Sequence, residues 1–188
     1  MTAEPPETIT LDRLPAPIGP ILIAVDEAGV LRAVDFHNDE AGFRRLLKRS
    51  YAQAQIVFGA APETMRSAFK RYFEGEIRAL EAISVRVVGT AFQLKVWKAL
   101  KAIPAGETRS YGAIAAAIGQ PSAVRAVGLA NGANPAGLVV PCHRVIGADG
   151  SLTGFGGGLD RKRWLLRHEG ARFKDAPAEL PLATPDAA

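Results

Sequence analysis

The chain has 188 residues, 48% of them hydrophobic and 22% charged, with a formal net charge of +4. That length and apolarity suit one sizeable core or two small ones and exclude a broadly disordered chain. No run approaches the roughly 18 apolar residues of a membrane span, and the start MTAEPPETIT lacks the basic-then-apolar layout of a signal peptide, so a cytoplasmic protein is expected.

Alternating and β-rich stretches at Thr8–Leu14, Pro20–Val25 and Val30–Phe36, the last two joined by DEAG, predict an N-terminal antiparallel meander. Helical spacing follows over 39–51, through Phe43, Leu46 and Leu47. It recurs over 61–75, through Met65, Phe69, Tyr72 and Phe73, with Gly75 as a stop. QIVF (55–58) between them is a short β segment, and His37 has no ligand-like neighbours and reads as a surface histidine. Beyond residue 88 the chain turns to short helices broken by glycine and proline. Thr90 caps one whose apolar face is Phe92, Val96, Trp97, Leu100 and Ile103, ended by Pro104.

Ser110 caps YGAIAAAIG, Gly119 ends it, and Pro121 opens PSAVRAVGLANG at a first helical position. Two short helices about a glycine-bearing turn suggest a helix-turn-helix, with an ordinary helical hairpin as the alternative. The exposed positions of the second helix, Ser122, Ala123, Ala126 and Gly128, are small enough for close approach to DNA but supply few base-edge donors, and Arg125 is its only charge. That pattern suits shape-driven or minor-groove binding better than major-groove reading. Charge is uneven along the chain in the same sense: residues 88–173 carry 11 basic and 4 acidic side chains, against 11 and 12 in residues 1–87. The expectation is an α+β protein, with a scaffold over 1–87, a mostly helical unit over 88–173 and a disordered tail over 174–188.

Cys142, the only cysteine, follows the apolar run GLVV and Pro141 and precedes His143 and Arg144. It could be a core filler, a ligand or a nucleophile. Three histidines without ligand spacing argue against a metal site. The loop TGFGGG (153–158) lacks both the third glycine of a dinucleotide fingerprint and a GK[ST]. A nucleophile needs the thiolate, roughly a few per cent at neutral pH for an ordinary cysteine, and a proton-accepting histidine raises that fraction. His143 is adjacent but reaches the thiol only through a bend or a bridging water, and Glu169 in LLRHEG is a candidate to orient it. In DRKRW, Arg161, Lys162 and Arg163 are candidate phosphate contacts.

PCHRVIG, preceded by SYGAIAAAIGQPSAVRAVGLANGANP and followed by DGSLTGFGGGLDRKRWLLRHEG, closely resembles the O6-alkylguanine-DNA alkyltransferases, from about Gly89 to Gly170. The resemblance is to the stand-alone bacterial type, since the chain lacks the cysteine-rich zinc domain of the adaptive-response relatives and keeps the cysteine that the alkyltransferase-like proteins replace. It implies a ribonuclease-H-like N-terminal domain, a helix-turn-helix, no cofactor and no metal. It also implies irreversible, one-for-one transfer of an alkyl group from O6-alkylguanine, and from O4-alkylthymine, in duplex DNA to Cys142. By the same resemblance His143 deprotonates Cys142 through a water, Glu169 holds His143, and Tyr111 assists departure of guanine. Asn134 braces the turn beside the site, and Arg125 replaces the flipped nucleotide, with Ser122, Ala126 and Gly128 on the minor-groove face. No membrane and no obligate protein partner are implied. A lesion sensor that binds without transfer is the alternative. Gly156 departs from members with a serine that contacts the guanine oxygen, and Gly137 from members with a proline near the pocket.

Overall fold

A computed structural model describes residues 7–36 and 39–175. His37 lies outside the described residues, as do residues 176–188 of the expected tail; Lys174 and Asp175 return to the body, Lys174 by a backbone bridge to Ser151 and Asp175 by ion pairs to Arg163 and Arg167.

The N-terminal strands are β1 (Thr8–Leu14), β2 (Ile21–Asp26) and β3 (Leu31–Asp35), antiparallel in the expected order, with Leu14 opposite Ile21 and Leu22 opposite Asp35. Helix α1 (Glu40–Ser50) then carries the chain over one face, so β4 (Gln55–Phe58) pairs parallel with β1 and the order is β3-β2-β1-β4. Because β2 is central and covered on both faces, its side chains divide by the two-residue period: Leu22 and Ala24 pack toward Phe43 and Leu47 of α1, while Ile21, Ile23 and Val25 join the larger core. Each fully buried leucine, isoleucine or valine among them contributes about 1.5–3 kcal/mol. Helix α2 (Glu63–Phe73) closes that second face through Met65, Phe69 and Tyr72.

The larger core continues into the second half, through Val96, Trp97 and Leu100 of α3 (Ala91–Lys101) and Leu165 of α6 (Leu159–His168). Thr90 caps α3 in a reciprocal box with Gln93, the two bonds measuring 3.2 and 2.9 Å. A two-residue parallel pair, β5 (Arg109–Ser110) with β6 (Val145–Ile146), ties the start of α4 (Tyr111–Ala117) to the segment just after Cys142. Ser110 caps α4 and Gly119 takes the left-handed conformation (φ +74°) as expected, but α5 (Val124–Gly132) starts three residues late. Pro121 occupies the second position of a turn closed by Ala123 N–H to Gln120 C=O (2.9 Å), where its preset φ suits the turn rather than the helix. The α4–α5 connection is therefore six residues, 118–123, longer than the sequence pattern suggests. Among the described residues no helix is long and apolar enough to cross a membrane.

Candidate active site

The apolar run before Cys142, strand-like in composition, does not form a strand. Residues 136–140 form a buried turn closed by Val140 N–H to Ala136 C=O (2.9 Å), with Leu138 at φ +71°, a conformation few non-glycine residues adopt. Asn134 braces this turn from both ends: its Nδ2 donates to Val140 C=O at 2.7 Å and its Oδ1 accepts from Ala136 N–H at 3.1 Å. Pro141 then leads into one 3₁₀ turn, Cys142–Arg144, whose three side chains all point into the protein. Cys142 is 6% exposed, and its carbonyl accepts from buried Asn131 Nδ2 at 3.4 Å.

His143 is fully buried and meets Glu169, at the C-terminal end of α6, through Nε2 and Oε1 at 3.0 Å. With Nε2–H donating to the carboxylate, Nδ1 is left as a bare acceptor, and it has no hydrogen-bond partner among the described residues. Glu169 is further gripped by Arg144, Nε to Oε2 and Nη2 to Oε1, both at 2.8 Å, while Arg144 Nη1 donates to Ile103 C=O at 2.7 Å. The proton affinities follow. Burial alone would raise the Glu169 carboxyl, but hydrogen bonds and charge from His143 and Arg144 outweigh it and hold it far below its ordinary range. Burial lowers His143, leaving a neutral imidazole able to accept a proton. Burial also raises the Cys142 thiol, against the opposing pull of Asn134 and Lys162. The resting sulfur is thus protonated, contrary to the expectation of a thiolate enriched by its neighbours; a base must remove the proton when it is needed.

Tyr111, at the first turn of α4, is half-buried, and its Oη accepts from Thr153 Oγ1 at 3.1 Å, leaving its own proton free to donate elsewhere. The Gly128 Cα faces the Tyr111 ring, where an added Cβ would sit 3.8 Å away. Arg125 and Ala126 are exposed on α5, Ser122 is exposed in the turn before it, and Arg125 has no hydrogen bond or ion pair among the described residues. Among the described residues no side-chain hydrogen bond or ion pair links Ser122, Arg125 or Ala126 to Cys142, His143 or Glu169. Gly156 is exposed with open space around its Cα, whereas a Cβ on Gly137 would lie 2.7 Å from the Phe36 ring.

Lys162 overturns its reading as a phosphate contact. It is fully buried, donating to Val145 C=O at 2.6 Å and Thr153 C=O at 2.9 Å, with burial pushing its pKa down to about 8 and the nearby Cys142 opposing. Its flanking residues are also engaged, Arg161 with Ile18 C=O and Gly157 C=O, Arg163 with Asp160 and Asp175. The signal was in the spacing: Lys162, Leu165, Leu166 and Glu169 recur at three and four residues and form the buried stripe of α6. Tyr72 and Arg144, which sequence spacing does not single out as site residues, also donate to Glu169.

Residues 91–171 match the family model described as 6-O-methylguanine DNA methyltransferase, DNA binding domain. The chain is 43% identical over 161 residues to a Salmonella typhimurium protein named methylated-DNA–protein-cysteine methyltransferase, covering 85% of this chain and 94% of that one. It is 45% identical over 170 residues to a protein of the same name from Mycobacterium tuberculosis H37Rv, covering 89% and 94%. A crystal structure of Mycobacterium tuberculosis OGT in complex with DNA superposes with a TM-score of 0.72 at 44% identity, covering 86% of this chain and 92% of that one.

Proposed function

The chain belongs to the methylated-DNA–protein-cysteine methyltransferase family and is an alkyl-transfer DNA repair protein, and from that premise we propose that Cys142 is the alkyl acceptor, acting in the cytoplasm on O6-alkylguanine in duplex DNA. The observation that carries this reading is the single turn that sets the cysteine beside His143, whose Nε2 is locked to Glu169 and whose Nδ1 is bare. A water between Sγ and Nδ1 would pass the thiol proton to the imidazole, and Glu169 would hold the imidazolium that forms. The freed sulfur lone pair then attacks the alkyl carbon as the carbon–O6 bond breaks and its electron pair withdraws into guanine. Tyr111 Oη–H is free to donate to the departing base, and the proton taken from the thiol ends on guanine. The product thioether has no route back, so each chain acts once.

The target atom lies within the base stack, and reaching it requires extrusion of the nucleotide at a cost of a few kcal/mol. Arg125 inserted in its place offsets part of that cost, while the small residues Ser122, Ala126 and Gly128 let the helix pair α4–α5, used as a helix-turn-helix, approach the minor groove. The same mechanism extends to O4-alkylthymine. Incubation with a duplex oligonucleotide carrying one O6-methylguanine, read by intact mass, tests the proposal: the protein gains one methyl in place of one hydrogen, mapped to Cys142, and stops at one equivalent. Cys142→Ser should gain nothing. Binding without a mass change would instead identify a lesion sensor.

A further inference from the structure

One side chain from the first half of the chain ends on Glu169. Tyr72 closes the apolar row of α2 and is fully buried, and its Oη donates to Glu169 Oε1 at 2.8 Å. That same oxygen receives His143 Nε2 at 3.0 Å and Arg144 Nη2 at 2.8 Å. The tyrosine is held from behind as well: its carbonyl meets His168 Nε2 at 2.6 Å, the two rings pack edge to face at 5.2 Å, and neighbouring Phe73 leans on Trp164 at 6.1 Å. A phenylalanine would fill the same core space, so the hydroxyl answers to Glu169 and not to packing.

We propose that Tyr72 is a positioning residue for alkyl transfer, its hydroxyl setting the orientation and charge distribution of the carboxylate that holds His143. The inference rests on the assignment of Cys142 as acceptor and His143 as its base. The charged and titratable groups around His143 are Glu169 and Lys162 from α6 and its end, Arg144 and Cys142 from its own turn, and, across Glu169, Tyr72 from α2. A carboxylate oxygen shared among three donors pulls less on each. Without Tyr72 the pull on His143 Nε2–H grows and the imidazole becomes more basic, while the carboxylate loses the contact that stops it from rotating toward Arg144. Burial and the charge of Glu169 push the phenol well above its ordinary value, so it remains a donor over the whole working range.

The test compares wild type with Tyr72→Phe in single-turnover transfer from a duplex bearing O6-methylguanine, from acid to neutral pH, alongside thermal melting. The variant should keep its fold and its one-methyl stoichiometry, lose roughly tenfold in rate, the scale of one charge-assisted hydrogen bond, and shift the midpoint of the acid limb to higher pH. A role in packing alone would lower the melting temperature and leave that midpoint in place, overturning the inference. Replacing Tyr72 by 4-aminophenylalanine restores a weaker donor and should recover most of the rate. If Tyr72→Phe does not fold, that replacement carries the test: a smaller upward shift supports the inference, and an unmoved midpoint overturns it. Absence of methyl transfer to wild-type Cys142 would instead defeat the acceptor assignment on which it rests.

Discussion

Glu169 accepts from three side chains, His143, Arg144 and Tyr72, and has almost no contact with solvent. The price of that arrangement appears on acidification. His143 and Glu169 both have folded pKa values below their ordinary ones of 6.5 and 4.5. As pH falls, the unfolded chain therefore takes up protons before the folded one does. The stabilisation they provide is fully present above about pH 6.5 and is lost as pH drops through the depressed folded values. Urea midpoints measured from pH 7 to pH 3 should decline in wild type. In Glu169→Gln the protein should start about 3–5 kcal/mol less stable, because Arg144 is left buried without its counter-ion, and the lower part of the decline should flatten. An equally steep decline would place the acid-sensitive groups elsewhere.

Among the described elements, α5 presents an outward face with exposed Val124, Arg125, Ala126 and Leu129, the face proposed to meet DNA. Gly132 bares its backbone with open space around it, Arg125 is unpaired among the described residues, and Leu129 is 72% exposed. Arg125→Ala should leave melting unchanged and slow transfer from duplex DNA far more than transfer from free alkylated guanine base, since only the duplex demands extrusion. Equal losses on both substrates would make Arg125 a support of the pocket. The first four strands, the caps at Thr90 and Ser110 and the stop at Gly119 were legible in the sequence because each is a local rule: β-rich or alternating composition, a side-chain acceptor, a left-handed glycine; the two-residue pair β5–β6 was not. What misled was local plausibility without tertiary information. GLVV has strand composition, but Leu138 turns left-handed in a segment braced by Asn134, and Pro121 suits a turn as well as a helix start. The cysteine, its histidine and Glu169 could be named as candidates; that Lys162 and Tyr72 also converge there depends on packing between distant elements.

Across the whole molecule, the two halves are joined close to the site. Val34 N–H donates to Pro135 C=O at 2.8 Å, Arg161 Nε reaches Ile18 C=O at 2.8 Å, and the rings of Phe36 and Phe155 lie 5.4 Å apart. Gly137→Ala tests the tightness of that seam. Its new methyl would meet Phe36 at 2.7 Å, and the resulting overpacking should cost about 1–3 kcal/mol in denaturant melts, with slower transfer as the turn carrying Cys142 shifts. Unchanged stability would mean that Phe36 gives way freely.

The chain has one sulfhydryl, and it is the atom proposed to be consumed. A thiol reagent applied in denaturant then counts unspent molecules with no background from other cysteines. The titre lost during exposure to damaged DNA equals the lesions removed, so any preparation reports its own history of use.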